Sequence, residues 1–224
     1  MSPPGRPKGE SFELQRDDFP MTARGRFVSF EGIDGAGKST QIAFVENWLR
    51  GHGVDVLLTR EPGGTPLGES LREMILHQPM QPRTETLLMF AARCEHVLTV
   101  IEPALAAGRW VLCDRFTDAT FAYQAGGRGI PEADVATLAR WVHPGLLPEL
   151  TVLFDIEPAI AAARLARAQR SDRFEAEQRD FFTRVREHYL ARARAEPQRF
   201  VVVDTSQDKP LVQARLVDTI GRLL

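Results

Sequence analysis

Residues Gly32, Ile33, Asp34, Gly35, Ala36, Gly37, Lys38, Ser39 and Thr40 spell a complete G-x-x-x-x-G-K-S phosphate-binding loop. The apolar run Phe27-Val28-Ser29-Phe30 precedes it and reads as a buried strand. A helical pattern follows, with Ile42, Val45 and Leu49 on one face. Strand, loop and helix together are the setting this motif requires. The glycines let backbone N–H groups turn inward around a phosphate chain, and the helix aims its positive dipole end at the anion. Lys38 reaches the outer phosphates as a point charge, and the Ser39 hydroxyl is placed to ligate Mg²⁺. A chance Gly-rich turn would not come with both flanking elements. The chain therefore reads as binding a nucleoside triphosphate with magnesium.

Strand and helix signals alternate along the rest of the chain. Further strands are expected at Val54 to Thr59, Arg109 to Asp114, Leu150 to Asp155 and Arg199 to Asp204. A long helix is expected from about Thr84 to Ala107, and a last one from about Pro210 to Leu224. This pattern predicts an α/β fold in three layers, a five-stranded parallel sheet with helices on both faces. Ligands of such sheets gather at the carboxyl ends of the strands.

A length of 224 residues fits one such domain. It is expected over residues 25–224, after a Pro-, Gly- and charge-rich N-terminal stretch, residues 1–24, that reads as disordered extension or misplaced start. The net charge of −2 provides no global field for nucleic acid, so no nucleic-acid partner is expected. No apolar run reaches membrane-spanning length, so no membrane partner is expected either. Cys94 and Cys113 fit no metal spacing, and a reduced cytoplasmic protein is the simplest reading.

Several constellations carry chemistry. Strand three ends in Asp114-Arg115, where a carboxylate can position Mg²⁺ or orient a nucleophile, and the guanidinium offers a fork for phosphate. An Asp capping the next helix is the plain alternative. Arg60-Glu61-Pro62-Gly63-Gly64-Thr65-Pro66 follows strand two, with Glu61-Pro62 a candidate cis bond; a simple βα loop and a substrate role both fit. On the long helix, Phe90 and Arg93 share a face, an aromatic plate and a donor suited to a nucleobase, although such stripes are more commonly core. Tyr123 and Gln124 precede a Gly-rich turn, and Gln124 has both donor and acceptor for reading a base edge. Arg164, Arg167, Arg170 and Arg173 form a basic cluster before a second amphipathic helix. They read as an Arg-rich lid over about 164–176, against a solvated basic face.

The segments Phe30 to Thr40, Thr59 to Thr65, Asp114-Arg115-Phe116 and Ala122-Tyr123-Gln124 together resemble bacterial thymidylate kinase, a family of P-loop nucleoside monophosphate kinases. The matches run in order over about residues 26–224. The resemblance implies transfer of a phosphoryl group from MgATP to dTMP by a protein that is usually a homodimer. It implies that Lys38 and the loop amides hold the ATP phosphates and that Ser39 holds the Mg²⁺; Asp114 is the metal candidate read from the end of strand three. Asp34 would meet the deoxyribose 3′-hydroxyl, and Arg60 and Arg115 would lie near the dTMP phosphate. Arg93 and Gln124 would read thymine, with Phe90 or Met89 on its face and Phe90 preferred. Tyr123 would crowd a ribose 2′-hydroxyl, and Thr205-Ser206-Gln207 would lie near adenine. Some members carry a catalytic Arg where this chain has Gly35; its charge is expected from the lid, as Arg167 or Arg170. An Asn-Lys-x-Asp guanine reader, usual in GTP switches, does not occur in the sequence.

Overall fold

The computed structural model describes residues 23–169 and 176–224. The sheet has five parallel strands in the order β2-β3-β1-β4-β5: β1 (Phe27–Glu31), β2 (Val56–Arg60), β3 (Trp110–Asp114), β4 (Leu150–Asp155) and β5 (Phe200–Asp204). β1, in the middle, is buried along its whole length, which is why its sequence reads as an apolar run with no polar alternation. Edge strand β2 alternates between covered and open positions, and its Leu58 is exposed.

Helices α1 (Lys38–Gly51), α2 (Pro66–His77), α3 (Pro82–His96), α4 (Glu102–Ala106), α5 (Thr117–Thr120), α6 (Glu132–Val142), α7 (Pro158–Gln169), α8 (Ala176–Ala195) and α9 (Lys209–Gly221) join and cover the strands. A π-helical turn, Val97–Ile101, joins α3 to α4, so the long helix expected from the sequence is one run with a widened middle. A second π-helical segment, Phe121–Gly127, continues α5 and carries Tyr123 and Gln124. The largest core cluster packs β1 and β4 against α1, α8 and α9 through residues such as Phe30, Leu49, Phe154, Tyr189 and Leu216. A second lies around Phe27, Ile101, Leu105 and Phe116.

Register sets up the site. Arg60 pairs with Asp114, and Asp114 pairs with Phe30, the residue before Glu31. The carboxyl ends of β2, β3 and β1 therefore lie side by side, where open parallel sheets bind ligands.

Candidate active site

The phosphate loop leaves β1 at Gly32 and feeds α1 at Lys38, with Gly37 as its left-handed cap residue (φ 84°). Gly35 also has a positive φ, 83°, and a Cβ there would stand 2.5 Å from the Ala161 carbonyl oxygen of α7. The position that carries Arg in some members of the family is thus closed to a side chain here by backbone, not by a movable group. Lys38 is buried and its Nζ donates to Gly32 O at 3.2 Å. Burial, then the nearby Arg115 charge, lowers its pKa to about 8 against the pull of Asp114, Asp34 and Glu31. Ser39 stands at the loop exit, and it lines the same cavity as Asp114. Asp114 Oδ1 is buried with no hydrogen-bond partner among the described residues. A lone oxygen of that kind in one cavity with a hydroxyl fits a hard cation that takes its other ligands from phosphates and water.

Arg115 sits in the left-handed region, φ 72°, which is costly for a residue with a side chain. Two bonds hold it there: Arg115 N donates to Phe30 O at 2.9 Å, and the next amide, Phe116 N, donates to Glu31 Oε1 at 2.7 Å. The guanidinium lies 4.5 Å over the Tyr123 ring, and its Nη2 donates to Asp34 Oδ1 at 2.7 Å and Tyr123 Oη at 2.9 Å. Burial pushes the Tyr123 phenol up to about 12, so it stays a hydroxyl. Glu31 is fully buried. Burial, then the Asp118 charge, raises its carboxyl to about 8, although Tyr189 Oη and the Phe116 amide donate to it.

Arg93 is almost wholly enclosed. Its Nε donates to Glu61 Oε2 at 2.6 Å, and its Nη2 to Thr120 Oγ1 at 3.0 Å and Phe116 O at 3.3 Å. Its Nη1 is buried without a partner among the described residues. Glu61 Oε1 lies 3.0 Å from His96 Nδ1, and His96 Nε2 lies 2.7 Å from Thr59 Oγ1. Burial pushes the Glu61 carboxyl up, but Arg93 and His96 more than offset this and hold it below the ordinary carboxylate value. Glu61-Pro62 is cis, as its sequence suggested. Gln124 Nε2 donates to Glu85 Oε1 at 2.8 Å.

One cavity of about 530 Å³ joins these groups, lined by Asp34, Lys38, Ser39 and Asp114 at one end and by Met89, Arg93 and Gln124, among others. Arg60, Arg115 and Tyr123 line it as well, and Arg60 Nη2 also donates to Glu69 Oε2 at 2.9 Å. The structure corrects the preference for Phe90. That ring is buried with Phe121, Ile130 and Val135 behind the wall, stacked under Arg93 at 4.8 Å, while Met89 faces the cavity. Thr205 accepts from Arg164 Nη2 at 2.8 Å, and Arg164 Nη1 passes 3.9 Å from the Gly37 Cβ position, so this segment adjoins the phosphate loop. Arg170 and Arg173 lie outside the described residues, as does the side chain of Arg167.

The sequence did not single out Glu31, Glu85, Arg72 or Tyr189. Glu31 had a signal: a carboxylate closing an apolar strand must find partners once buried. Arg72, whose Nη1 donates to Pro62 O at 3.0 Å, also lines the cavity.

The sequence profile described as thymidylate kinase matches residues 30–216. The chain is 57% identical over 195 residues to the thymidylate kinase of Methylobacillus flagellatus, spanning 87% of this chain and 96% of that one. It is 55% identical over 204 residues to that of Bordetella pertussis, spanning 91% and 98%. The crystal structure of thymidylate kinase from Ehrlichia chaffeensis superposes with a TM-score of 0.73 at 32% identity, over 88% of this chain and 99% of that one. With the phosphate loop, the parallel sheet and the shared cavity, these matches place the chain in the thymidylate kinase family of P-loop phosphotransferases.

Proposed function

We propose that the protein transfers the γ-phosphoryl group of ATP to dTMP, giving dTDP and ADP for DNA precursor synthesis. The observation that carries this reading is the cavity that Lys38, Asp114, Arg93 and Gln124 line together, with Arg93 Nη1 a buried donor without a partner among the described residues. One end suits a phosphate chain, the other a flat base with a carbonyl.

The acceptor oxygen of dTMP is already anionic, so no strong general base is needed. Alignment and charge carry the catalysis. The loop amides and Lys38 hold the ATP phosphates. Arg115 and Arg60 hold the dTMP phosphate, and Arg115 keeps Asp34 in place to meet the sugar 3′-hydroxyl. Tyr123 lies flat beside the sugar and selects deoxyribose by bulk. Met89 covers the base, while Arg93 and Gln124 read its edge. Ser39 and Asp114 would hold magnesium, which when bound would supply charge neutralisation for the phosphates. The closed Gly35 position supports a lid donor, Arg167 or Arg170, for the remaining positive charge.

The reading extends to a homodimer in the cytoplasm. The exposed apolar residues Leu87 and Leu98 along the α3 run support a subunit contact. No helix among the described residues is long and apolar enough to cross a membrane. A coupled ADP-release assay with MgATP against dTMP, dUMP, UMP, CMP, AMP and GMP tests the activity. Strong turnover of dTMP with little of UMP is expected. Preference for another monophosphate would overturn the base assignment.

A further inference from the structure

The Gln124 amide can face a base with either of two chemically opposite ends. Its oxygen accepts a hydrogen bond and its nitrogen donates one, and the two ends have nearly the same shape. What decides between them is the partner on the other side. Gln124 is buried on the π-helical segment Phe121–Gly127, and Glu85 comes from the first turn of α3. Glu85 Oε1 lies 2.8 Å from Gln124 Nε2. A carboxylate oxygen only accepts, so the amide must turn its nitrogen to Glu85. Its oxygen is then the end left for a ligand in the cavity that both residues line. Glu85 is itself held: its side chain is only 14% exposed, and Arg128 Nη2 stands 3.7 Å from its other oxygen.

The second reader has the opposite polarity. Arg93 Nη1 is a buried donor with no partner, and its Nη2 is bonded to Thr120, four residues before Gln124 on the same helical run. The wall thus offers a donor and, beside it, an acceptor. Thymine and uracil match this with a ring carbonyl next to a ring N–H. Cytosine presents an amino group and a bare ring nitrogen there, wrong at both positions.

We propose that Glu85 is a specificity-determining positioning residue: by locking the Gln124 amide, it makes the cavity accept a base with a carbonyl beside an N–H and reject cytosine. The inference rests on dTMP being the substrate, as set out above. Without Glu85, the amide is free to flip and meet the cytosine ring nitrogen with its own N–H. Sites that read polar edges discriminate strongly because the wrong partner leaves buried groups unpaired.

The test is the ratio of kcat/KM for dTMP to that for dCMP, in the wild type and in Glu85→Gln. A glutamine at 85 can donate or accept, so it no longer dictates the orientation of Gln124. The ratio is expected to fall at least tenfold, with KM for MgATP little changed. A purely structural or charge role would move both substrates together and leave the ratio alone, and that outcome overturns the proposal. Cooperative thermal unfolding is checked first. If Glu85→Gln does not fold, Glu85→Ala, which also removes the acceptor for the Gln124 nitrogen, is read by the same ratio. Absence of dTMP turnover in the wild type would instead overturn the kinase assignment on which the inference stands. Turnover in the wild type with an unchanged ratio in the variant overturns only the role of Glu85.

Discussion

Glu31 and Tyr189 lie 158 residues apart in the chain and meet at 2.7 Å, phenol oxygen to Oε2, with both side chains buried. The bond ties the end of the central strand to α8, the helix that follows the Arg-rich segment. The other Glu31 oxygen holds the amide after Arg115, so one carboxyl braces both that helix and the strained arginine turn.

A pH dependence follows from this. The Glu31 carboxyl is raised to about 8 from an ordinary 4.5, by burial first and the Asp118 charge second. Between those values the folded chain keeps a proton that the unfolded chain has released, so stability falls as pH rises. His143, pushed down to about 4 by burial, acts in the opposite sense up to its ordinary 6.5. Lys38, lowered to about 8, acts only above that pH. From pH 6.5 to 8, therefore, Glu31 dominates among the shifted groups of the described residues. The thermal midpoint of the wild type is expected to drop across that window, and Glu31→Gln to remove most of the drop. A wild-type midpoint that stays level would contradict the burial argument.

Lys38 gives a second pH signature, in binding. With its pKa near 8 before nucleotide arrives, the charged amine is lost as pH rises above that value. Affinity for MgATP is expected to weaken by up to about tenfold per pH unit above 8, with proton uptake on binding. Calorimetric titration at several pH values in buffers of different ionisation enthalpy measures both. Lys38→Met should bind weakly at every pH and show no such slope.

The Arg93 end of the cavity depends on Glu61. Its removal leaves Arg93 and His96 buried without their common acceptor. Breaking a buried pair in this way costs about 3–5 kcal/mol. For Glu61→Gln, which keeps the shape, the expected outcome is a rise in KM for dTMP of about tenfold or more, with KM for MgATP nearly constant. Steady-state kinetics varying each substrate in turn separates this from a general loss of fold, which would affect both.

Much of the frame was readable from residues alone, because β1, β3 and β4 are continuous buried runs and the phosphate loop has fixed spacing. The boundaries that moved have local causes. Val54 was expected to open β2, but its amide instead closes the end of α1 on Leu49 O at 3.1 Å. Helical spacing correctly put Phe90 and Arg93 on one face; it could not say that the ring goes beneath the guanidinium while neighbouring Met89 takes the cavity wall. The groups that Glu31, Glu61 and Glu85 hold stayed illegible for a different reason. Their work is done through partners 32 to 158 residues away, which only the fold brings within reach.

The phosphate loop of this chain is expected to reject the arginine that some members of the family carry at position 35. Gly35→Arg would place a Cβ against the Ala161 carbonyl oxygen at a positive φ, costing about 1–3 kcal/mol without restoring a useful charge. Chemical denaturation reads the loss, and single-turnover kinetics should show no gain. The charge is expected from the Arg-rich segment after Arg164 instead, the proposed lid. Of Arg167→Ala and Arg170→Ala, one should lose about 10³-fold in turnover and the other little. Near-wild-type rates for both would remove the lid from the mechanism.

The central claim is direct phosphoryl transfer between two nucleotides in one cavity. Its most direct test follows dTDP and ADP together, by chromatography of quenched reactions with MgATP and dTMP. One dTDP formed for each ADP is the expected result. ADP released without matching dTDP, or no reaction with dTMP at all, would contradict it.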